Sequence, residues 1–299
     1  MRGYARGEDR QSLVHNLVLF ARKNKYPYAQ AAHWSDLKAI AELSCLNFGT
    51  SGFSLAKFQS LYRVNPNILW IVKDKNGVIQ GCFDIQPIKA AFAQELKSGS
   101  KRESDLTPSD LFSEKELKEG LGGCIYLAGL IVRSASERVR GPDRTFCRLV
   151  LAGMERVQNI AAATPGLSDV LALAYQTNGG EPGPATPYLI RFGFREVGKS
   201  KEGYSAHVLS SDMSYGGLED VFSAIAAARQ RHERKSRAKR RAAGGIAISA
   251  LLLLAVTILM KKNDLAREFM KEIVISVMAA VIFLILEPLL KLRSLVKGD

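Results

Sequence analysis

The sequence predicts an α/β domain, a central mixed sheet flanked by helices, followed by a C-terminal helical membrane hairpin. Three observations predict it. From Tyr28 to about Met213, apolar runs of strand length alternate with amphipathic helical stretches. The stretch ILWIVKDKNGVIQGCFDIQPI reads as a hairpin turning on Asn76-Gly77, a strong two-residue turn signal. Near the C-terminus, Ala242 to Met260 is nineteen residues without a charge, and Ile273 to Leu290 is eighteen with one Glu and one Pro. Each approaches the roughly 20 residues a helix needs to cross the hydrocarbon core.

The elements follow in order. Residues 1–27 form an N-terminal extension whose apolar stretch, broken by His15 and Asn16, predicts a short amphipathic helix rather than a secretion signal. YAQAAHW reads as a strand, and Ser35 as the N-cap of the helix SDLKAIAELSCLNFG. FSLAKFQSLYRVNP is a second helix ending at Pro66, since proline disfavours helix in the residue before it. After the hairpin come the helix KAAFAQELKSG and a polar excursion, SKRESDLTPSDLFSEKELKEGLGG. The apolar run Cys124 to Val132 predicts a strand, ERVRGPDRT (Glu137 to Thr145) a loop, and the next stretch a helix to about Ala163. LSDVLALAYQ predicts a strand, ATPYLIRFGF a short helix, and REVG with YSAHVLS a final strand pair. The domain is expected to span 28–216, with a basic juxtamembrane helix or linker over 217–241, the hairpin over 242–290 and a tail over 291–299.

The net charge of +13 is unevenly spread. The segment RQRHERKSRAKRR, Arg229 to Arg241, carries eight Lys/Arg against one Glu, supplying +7 of the total. No aromatic residue is interleaved with it for base stacking, so nucleic acid is not the expected partner. Its place before an apolar run points to an anionic bilayer surface, where each cation can add about 1 kcal/mol. Eight Lys/Arg before the first run and three after the second stand against four in the loop between, Lys261 to Glu272. By the positive-inside rule both flanks lie in the cytoplasm. The expectation is an integral protein of the inner or plasma membrane, with its domain and both termini cytoplasmic. Glu287 sits near the end of the second run, at headgroup depth rather than mid-membrane. Self-association is compatible with this organisation.

Cys45, Cys82, Cys124 and Cys147 are widely spaced, with no CxxC pair, and the four histidines are scattered. No zinc pattern exists, and no metal is expected. Free thiols in a reducing compartment follow.

ERVRGPDRT lies where a strand gives way to a helix. A turn with glycine there lets successive backbone N–H groups point outward at the positive end of a helix, which suits a pyrophosphate. Gly141 removes the Cβ that would obstruct the approach, and Arg138, Arg140 and Arg144 add charge that fits phosphate oxygens. The bland alternative is a basic turn with no ligand.

The order of elements, with these residues, resembles the GNAT superfamily of acyl-CoA-dependent N-acyltransferases over about Tyr28 to Met213. In that family the fourth strand ends in an L-x-V-like run, here Leu130, Ile131 and Val132. A loop of form Q/R-x-x-G-x-G/A follows, here Arg138-Val139-Arg140-Gly141-Pro142-Asp143, matching in its first five positions. PYLIRFGFREVG resembles the family's aromatic-bearing helix ending in Gly-Phe before the sixth strand. The resemblance implies that an acyl-CoA, acetyl-CoA first, binds between the fourth and fifth strands, its pantetheine arm on a splayed strand edge, and that an amine is acylated. Leu130, Ile131, Val132, Arg138, Val139, Arg140, Gly141, Asp143 and Arg144 would hold the cofactor. Pro142 lacks a donor N–H, and Asp143 replaces a small residue, either repelling phosphate or capping the helix.

For catalysis the resemblance implies a tyrosine four residues before the glycine of the Gly-Phe pair, a position held here by Leu189. Tyr188 is adjacent, but one helical step turns its side chain by about 100°. It either packs in the core or protonates the leaving thiolate. Asp84 in the hairpin and Tyr175 at the end of the fifth strand are the other candidates facing the cleft. Two readings follow: a membrane-anchored N-acyltransferase, or a non-catalytic sensor of the same shape controlling the hairpin.

Overall fold

The computed structural model describes residues 8–49, 52–119, 122–133, 144–164, 166–175, 182–183, 185–199, 203–210 and 218–262. They contain the strands β1 (Gln30–Ala31), β2 (Leu69–Lys73), β3 (Ile79–Lys89), β4 (Gly123–Val132), β5 (Leu167–Tyr175), β6 (Arg195–Lys199) and β7 (Tyr204–Ser210). Among them run α1 (Glu8–Lys23), α2 (Leu37–Phe48), α3 (Leu55–Val64), α4 (Ala90–Ser98), α5 (Glu114–Lys118), α6 (Arg144–Ala163), α7 (Thr186–Arg191) and α8 (Glu219–Lys262). The strands form one mixed sheet in the order β1-β2-β3-β4-β5-β7-β6. β4 and β5 are parallel, and the other neighbours are antiparallel. The α/β class, with a mixed sheet flanked by helices, and the alternation of elements stand as expected.

Alternating side chains divide the core into two layers. Phe83 and Ile85 of β3 and Ile125 of β4 pack with α1 and α6. Cys82 and Ile88 of β3 and Tyr126 of β4 pack with α2, α3 and α4. The N-terminal extension is amphipathic as read, with Leu17, Val18, Phe20 and Ala21 buried. Arg148 of α6 donates to the Tyr28 carbonyl at 2.6 Å, joining α6 to the chain entering β1.

One local expectation fails. Ser35 does not cap α2; it lies inside a 3₁₀ turn, Trp34–Asp36. Asp36 directly precedes α2 but makes no side-chain bond into it; its carboxylate accepts from the His33 N–H at 3.0 Å, closing the 3₁₀ turn, and from Lys73 Nζ at 2.7 Å. Its side chain is long enough to reach both a backbone donor of the turn and a cation on β2, so it ties the turn to the sheet. Asp36 titrates below the usual carboxylate range: burial works against its charge, and the Lys73 and His33 hydrogen bonds outweigh it.

The polar excursion after α4 is ordered rather than loose. Two 3₁₀ turns, Glu103–Asp105 and Pro108–Asp110, precede α5, and Leu111 bridges to Ile88. Leu106, Leu111 and Phe112 are buried, so the segment joins the sheet through its few apolar residues.

The chain divides into two compact units, 1–228 and 229–299. In the first, Val221, Ala224, Ile225 and Ala228 of α8 belong to the α6-side core. In the second, Glu233 pairs with Arg229 at 3.1 Å and Arg237 at 3.8 Å, both at helical i,i+4 spacing. Among the described residues no helix is long and apolar enough to cross a membrane. The first expected span falls on the end of α8, where the backbone is helical but most side chains lie outside the described set. The second span, with Glu287, lies wholly outside the described residues.

Candidate active site

The parallel pairing of β4 and β5 begins at Gly123↔Leu167 and ends at Leu127↔Ala172. β4 continues to Val132 against β3, and β5 continues to Tyr175 against β7. The two strands therefore part beyond Leu127 and Ala172, toward the end of β4 from which the chain goes on to α6. At the parting β4 is bulged: Asp84 pairs with Gly129 while Ile85 pairs with Leu127, leaving Ala128 extra. A Cβ built on Gly129 would meet only Phe48 Cε2, at 4.0 Å, so the strand is open on its α2 face.

Of the expected cofactor residues, Leu130, Ile131 and Val132 end β4 at this opening. Ile131 and Val132 are buried, and Leu130 is half-buried against the α6-side core. Their backbone, rather than their side chains, is what a ligand lying between the strands would meet. Arg144 opens α6. Arg138, Val139, Arg140, Gly141 and Asp143 lie outside the described residues, as do Pro142 and the rest of that loop.

The expected catalytic candidates come from three different elements, α7, β5 and β3. Tyr188 is 37 % exposed on α7, its ring 5.5 Å from Phe146 in the first turn of α6 and 5.8 Å from the Arg191 guanidinium. The family's tyrosine position, Leu189, packs against the core instead. Tyr188 thus stands beside the start of α6, near the expected phosphate end rather than the strand parting. Tyr175 is exposed at the end of β5, edge-on to Tyr204 at 5.4 Å. Asp84 is buried at the bulge, with Gln86 Nε2 donating to its Oδ2 at 2.8 Å.

Asp84 belongs to a polar cluster that sequence reasoning missed. By alternation Asp84 and Gln86 face the α2 layer, and Gln86 is paired across the strands with Tyr126. Glu103, from the excursion, brings its carboxyl group to the Tyr126 hydroxyl. The hydroxyl itself makes no hydrogen bond of ordinary geometry, so this contact is electrostatic first. Glu103 as a whole residue is half-buried, but its carboxyl end is enclosed: burial raises it to about 7, against the lowering effects of Tyr126 and Lys57. Burial, with the charge of Glu103 adding, also holds the Asp84 carboxyl well above its ordinary range. Burial raises the Tyr126 phenol likewise, and Glu103 adds to it. Lys57 of α3 donates to the carbonyls of Ser104, at 3.0 Å, and Leu106. It pins the turn that carries Glu103. The sequence offered one faint signal, an acid in an excursion holding apolar residues at Leu106 and Leu111, where a solvated loop would have none.

Elsewhere, Ser205 and His207 Nε2 lie 2.9 Å apart on β7, both buried. Among the described residues no group of His, Cys, Asp or Glu could hold a metal ion. The four cysteines are free, Cys45 exposed and the others buried.

No family model matches the chain, and no curated protein sequence matches it. Solved structures do. The GNAT-like decarboxylase GphF in complex with isobutyryl-CoA is 21 % identical over 61 % of this chain and 98 % of its own, with a TM-score of 0.46. The loading GNATL domain of CurA from Lyngbya majuscula is 12 % identical over 62 % of this chain and 97 % of its own, at 0.44. A GNAT family acetyltransferase from Listeria monocytogenes is 13 % identical over 61 % of this chain and 93 % of its own, at 0.38.

Proposed function

We propose that the chain is a membrane-anchored N-acyltransferase that binds an acyl-CoA, acetyl-CoA first, along the opening between β4 and β5 and transfers the acyl group to an amine. The observation that carries this reading is the end of the β4–β5 ladder at Leu127↔Ala172 beside a bulge at Ala128 and Gly129. A parted parallel pair exposes strand backbone to an amide-bearing arm such as pantetheine. The start of α6 lies beyond the open end, where helix N–H groups and the arginines of ERVRGPDRT favour phosphate. Holding amine and thioester together there supplies much of the rate by proximity.

Gly141→Val tests the phosphate end. Blocking backbone approach should weaken acetyl-CoA binding at least tenfold by calorimetry, about 1.4 kcal/mol, the order of a lost charge-assisted hydrogen bond. Arg140→Ala should weaken it less, and Asp143→Gly should tighten it by removing a like charge. Equal affinities with unchanged melting would make the loop a basic turn and remove the enzyme reading. Acetyl-CoA binding without turnover of any amine would favour the sensor.

Membrane anchoring rests on the two apolar runs and the basic block before them. Full-length protein should stay in the pellet after carbonate extraction, while the chain truncated after Ser236 should be released. A fluorescent reporter fused after Asp299 should be bright if the C-terminus is cytoplasmic. Carbonate release of the full chain removes the anchor; a dark C-terminal reporter with a bright one in the Lys261 to Glu272 loop reverses the orientation.

A further inference from the structure

We propose that the donor carries an aliphatic acyl chain longer than acetyl, and that Gly129 and Phe48 set this preference. This rests on the acyltransfer reading and names the acyl group for it.

The first ground is a glycine that neither backbone nor packing requires. Glycine weakens a strand interior, so its presence marks a bulge, a close backbone approach or a ligand. Among the described residues the strands hold Gly81, Gly123, Gly129 and Gly198. Three of them are explained by their neighbours. A Cβ on Gly81 would stand 2.7 Å from the Ile131 carbonyl oxygen, one on Gly123 would strike the Ile88 carbonyl, and one on Gly198 the Lys97 carbonyl. Gly129 differs. A Cβ there would meet Phe48 Cε2 at 4.0 Å, an ordinary contact, and nothing else within that distance. Its bulge is not of the kind that needs a left-handed glycine, because the positive-φ glycines are Gly49, Gly77, Gly99, Gly193 and Gly203. The missing side chain leaves room that the protein's own atoms do not fill.

The second ground is position. Leu127 is the last residue of β4 paired with β5, and Gly129 follows two residues later, opposite Asp84. At about 3.3 Å per residue this places it about 7 Å into the opening. A donor with its pyrophosphate at the start of α6 would run its arm along β4 from Val132 toward Leu127. Its thioester end would then come to Ala128 and Gly129. The carbons beyond the thioester carbonyl can leave the strand there, on the α2 face.

The third ground is what borders that room. Phe48 ends α2 and is 50 % exposed, and Gly49 turns the chain away directly after it with a φ of 60°. Asp84 is 6 % exposed, so the side chain offered to the room is the Phe48 ring. The methyl of acetyl would cover little of that ring. Each further methylene laid on it removes more apolar surface from water, whereas a charged chain end would lose hydration.

Chain length leaves the transfer itself unchanged. The amine nitrogen bonds to the acyl carbon, the thioester C–S bond breaks, and the proton lost by nitrogen leaves with sulfur as free thiol.

The test titrates full-length protein in detergent by calorimetry with CoA, acetyl-CoA, butyryl-CoA and succinyl-CoA. Butyryl-CoA should bind about tenfold tighter than acetyl-CoA, the order that a methylene is worth in an apolar pocket, and succinyl-CoA should gain nothing. Gly129→Val should abolish the preference by filling the room, and Gly129→Ala and Phe48→Ala should each reduce it. Because a Cβ at this position meets no clash and β-branched residues suit strands, Gly129→Val should melt within about 2 °C of the unmodified chain. If it melts lower, Gly129→Ala decides. Equal affinities for acetyl-CoA and butyryl-CoA in the unmodified chain overturn the proposal, as does a butyryl preference that survives both substitutions of Gly129. Succinyl-CoA binding as tightly as butyryl-CoA also overturns it, since the room would then not be apolar. If neither CoA nor any thioester binds, the acyltransfer reading falls and takes the proposal with it; CoA binding without an acyl preference sinks the proposal alone.

Discussion

Replacing Gly81 by valine should destabilise the protein by about 3 kcal/mol or more, at the upper end of what overpacking a core costs. Gly81 lies on β3 opposite Val132, at the end of β4. A Cβ there would stand 2.7 Å from the Ile131 carbonyl oxygen, 2.8 Å from Leu149 Cδ1 and 2.9 Å from Thr145 Cγ2. The carbonyl is part of the sheet ladder and cannot swing aside, and the other two contacts are the first turns of α6. The missing Cβ is what lets α6 lie close on the sheet with its N-terminus at the open end of β4. For a domain of this size the change should lower Tm by about 6–12 °C in a thermal melt followed by circular dichroism. Gly122→Ala is the control: a Cβ there meets nothing within 4 Å, so Tm should barely move. A Gly81→Val melt within about 2 °C of the unmodified chain would show that α6 can retreat freely.

The fold was largely legible because its signals are local. Asn76-Gly77 announces the hairpin, and Gly77 adopts the positive φ of 81° that such a turn demands. The stretches read as strands or helix that became β4, α6, β5 and β7 are each short and local, and the structure keeps them. Ser35 was misread because the chain enters α2 through a 3₁₀ turn whose last residue, Asp36, pairs with Lys73, 37 residues away and outside any window around Ser35.

The site was legible in part. Leu130 to Val132 were placed at the opening because their strand precedes a glycine turn and a helix, an arrangement visible in the chain. Asp84 was named, but its setting was not: what makes it unusual is burial opposite a bulge and the approach of Glu103. Glu103 could not be read as chemical because it sits among Lys101, Arg102, Ser104 and Asp105, in a stretch whose polarity suggests solvent. Its inward turn depends on Lys57 gripping the backbone just after it, a contact of sequence separation 47. The setting of Tyr188 was hidden for the opposite reason. Its neighbour Leu189 fills the core, and the helix then turns Tyr188 outward, against Phe146.

Glu103→Gln should make the protein more stable at pH 8 and leave it unchanged at pH 4. In the fold this carboxyl titrates at about 7, against an ordinary value of 4.5. Between those two pH values the folded chain holds a proton that the unfolded chain has released, so stability falls as pH rises through that window. Below it both states are protonated and Glu103 costs nothing; above it the folded state carries a poorly solvated charge. Glutamine keeps the shape and cannot ionise, so the slope due to Glu103 disappears. With allowance for solvent screening of a half-buried residue, the gain at pH 8 is about 1–2 kcal/mol, or about 3–6 °C in Tm. Asp84 has the same sign, since burial and Glu103 raise it too, so Asp84→Asn should flatten the remaining slope. Parallel melting curves for Glu103→Gln and the unmodified chain from pH 5 to 8 would show that Glu103 titrates normally.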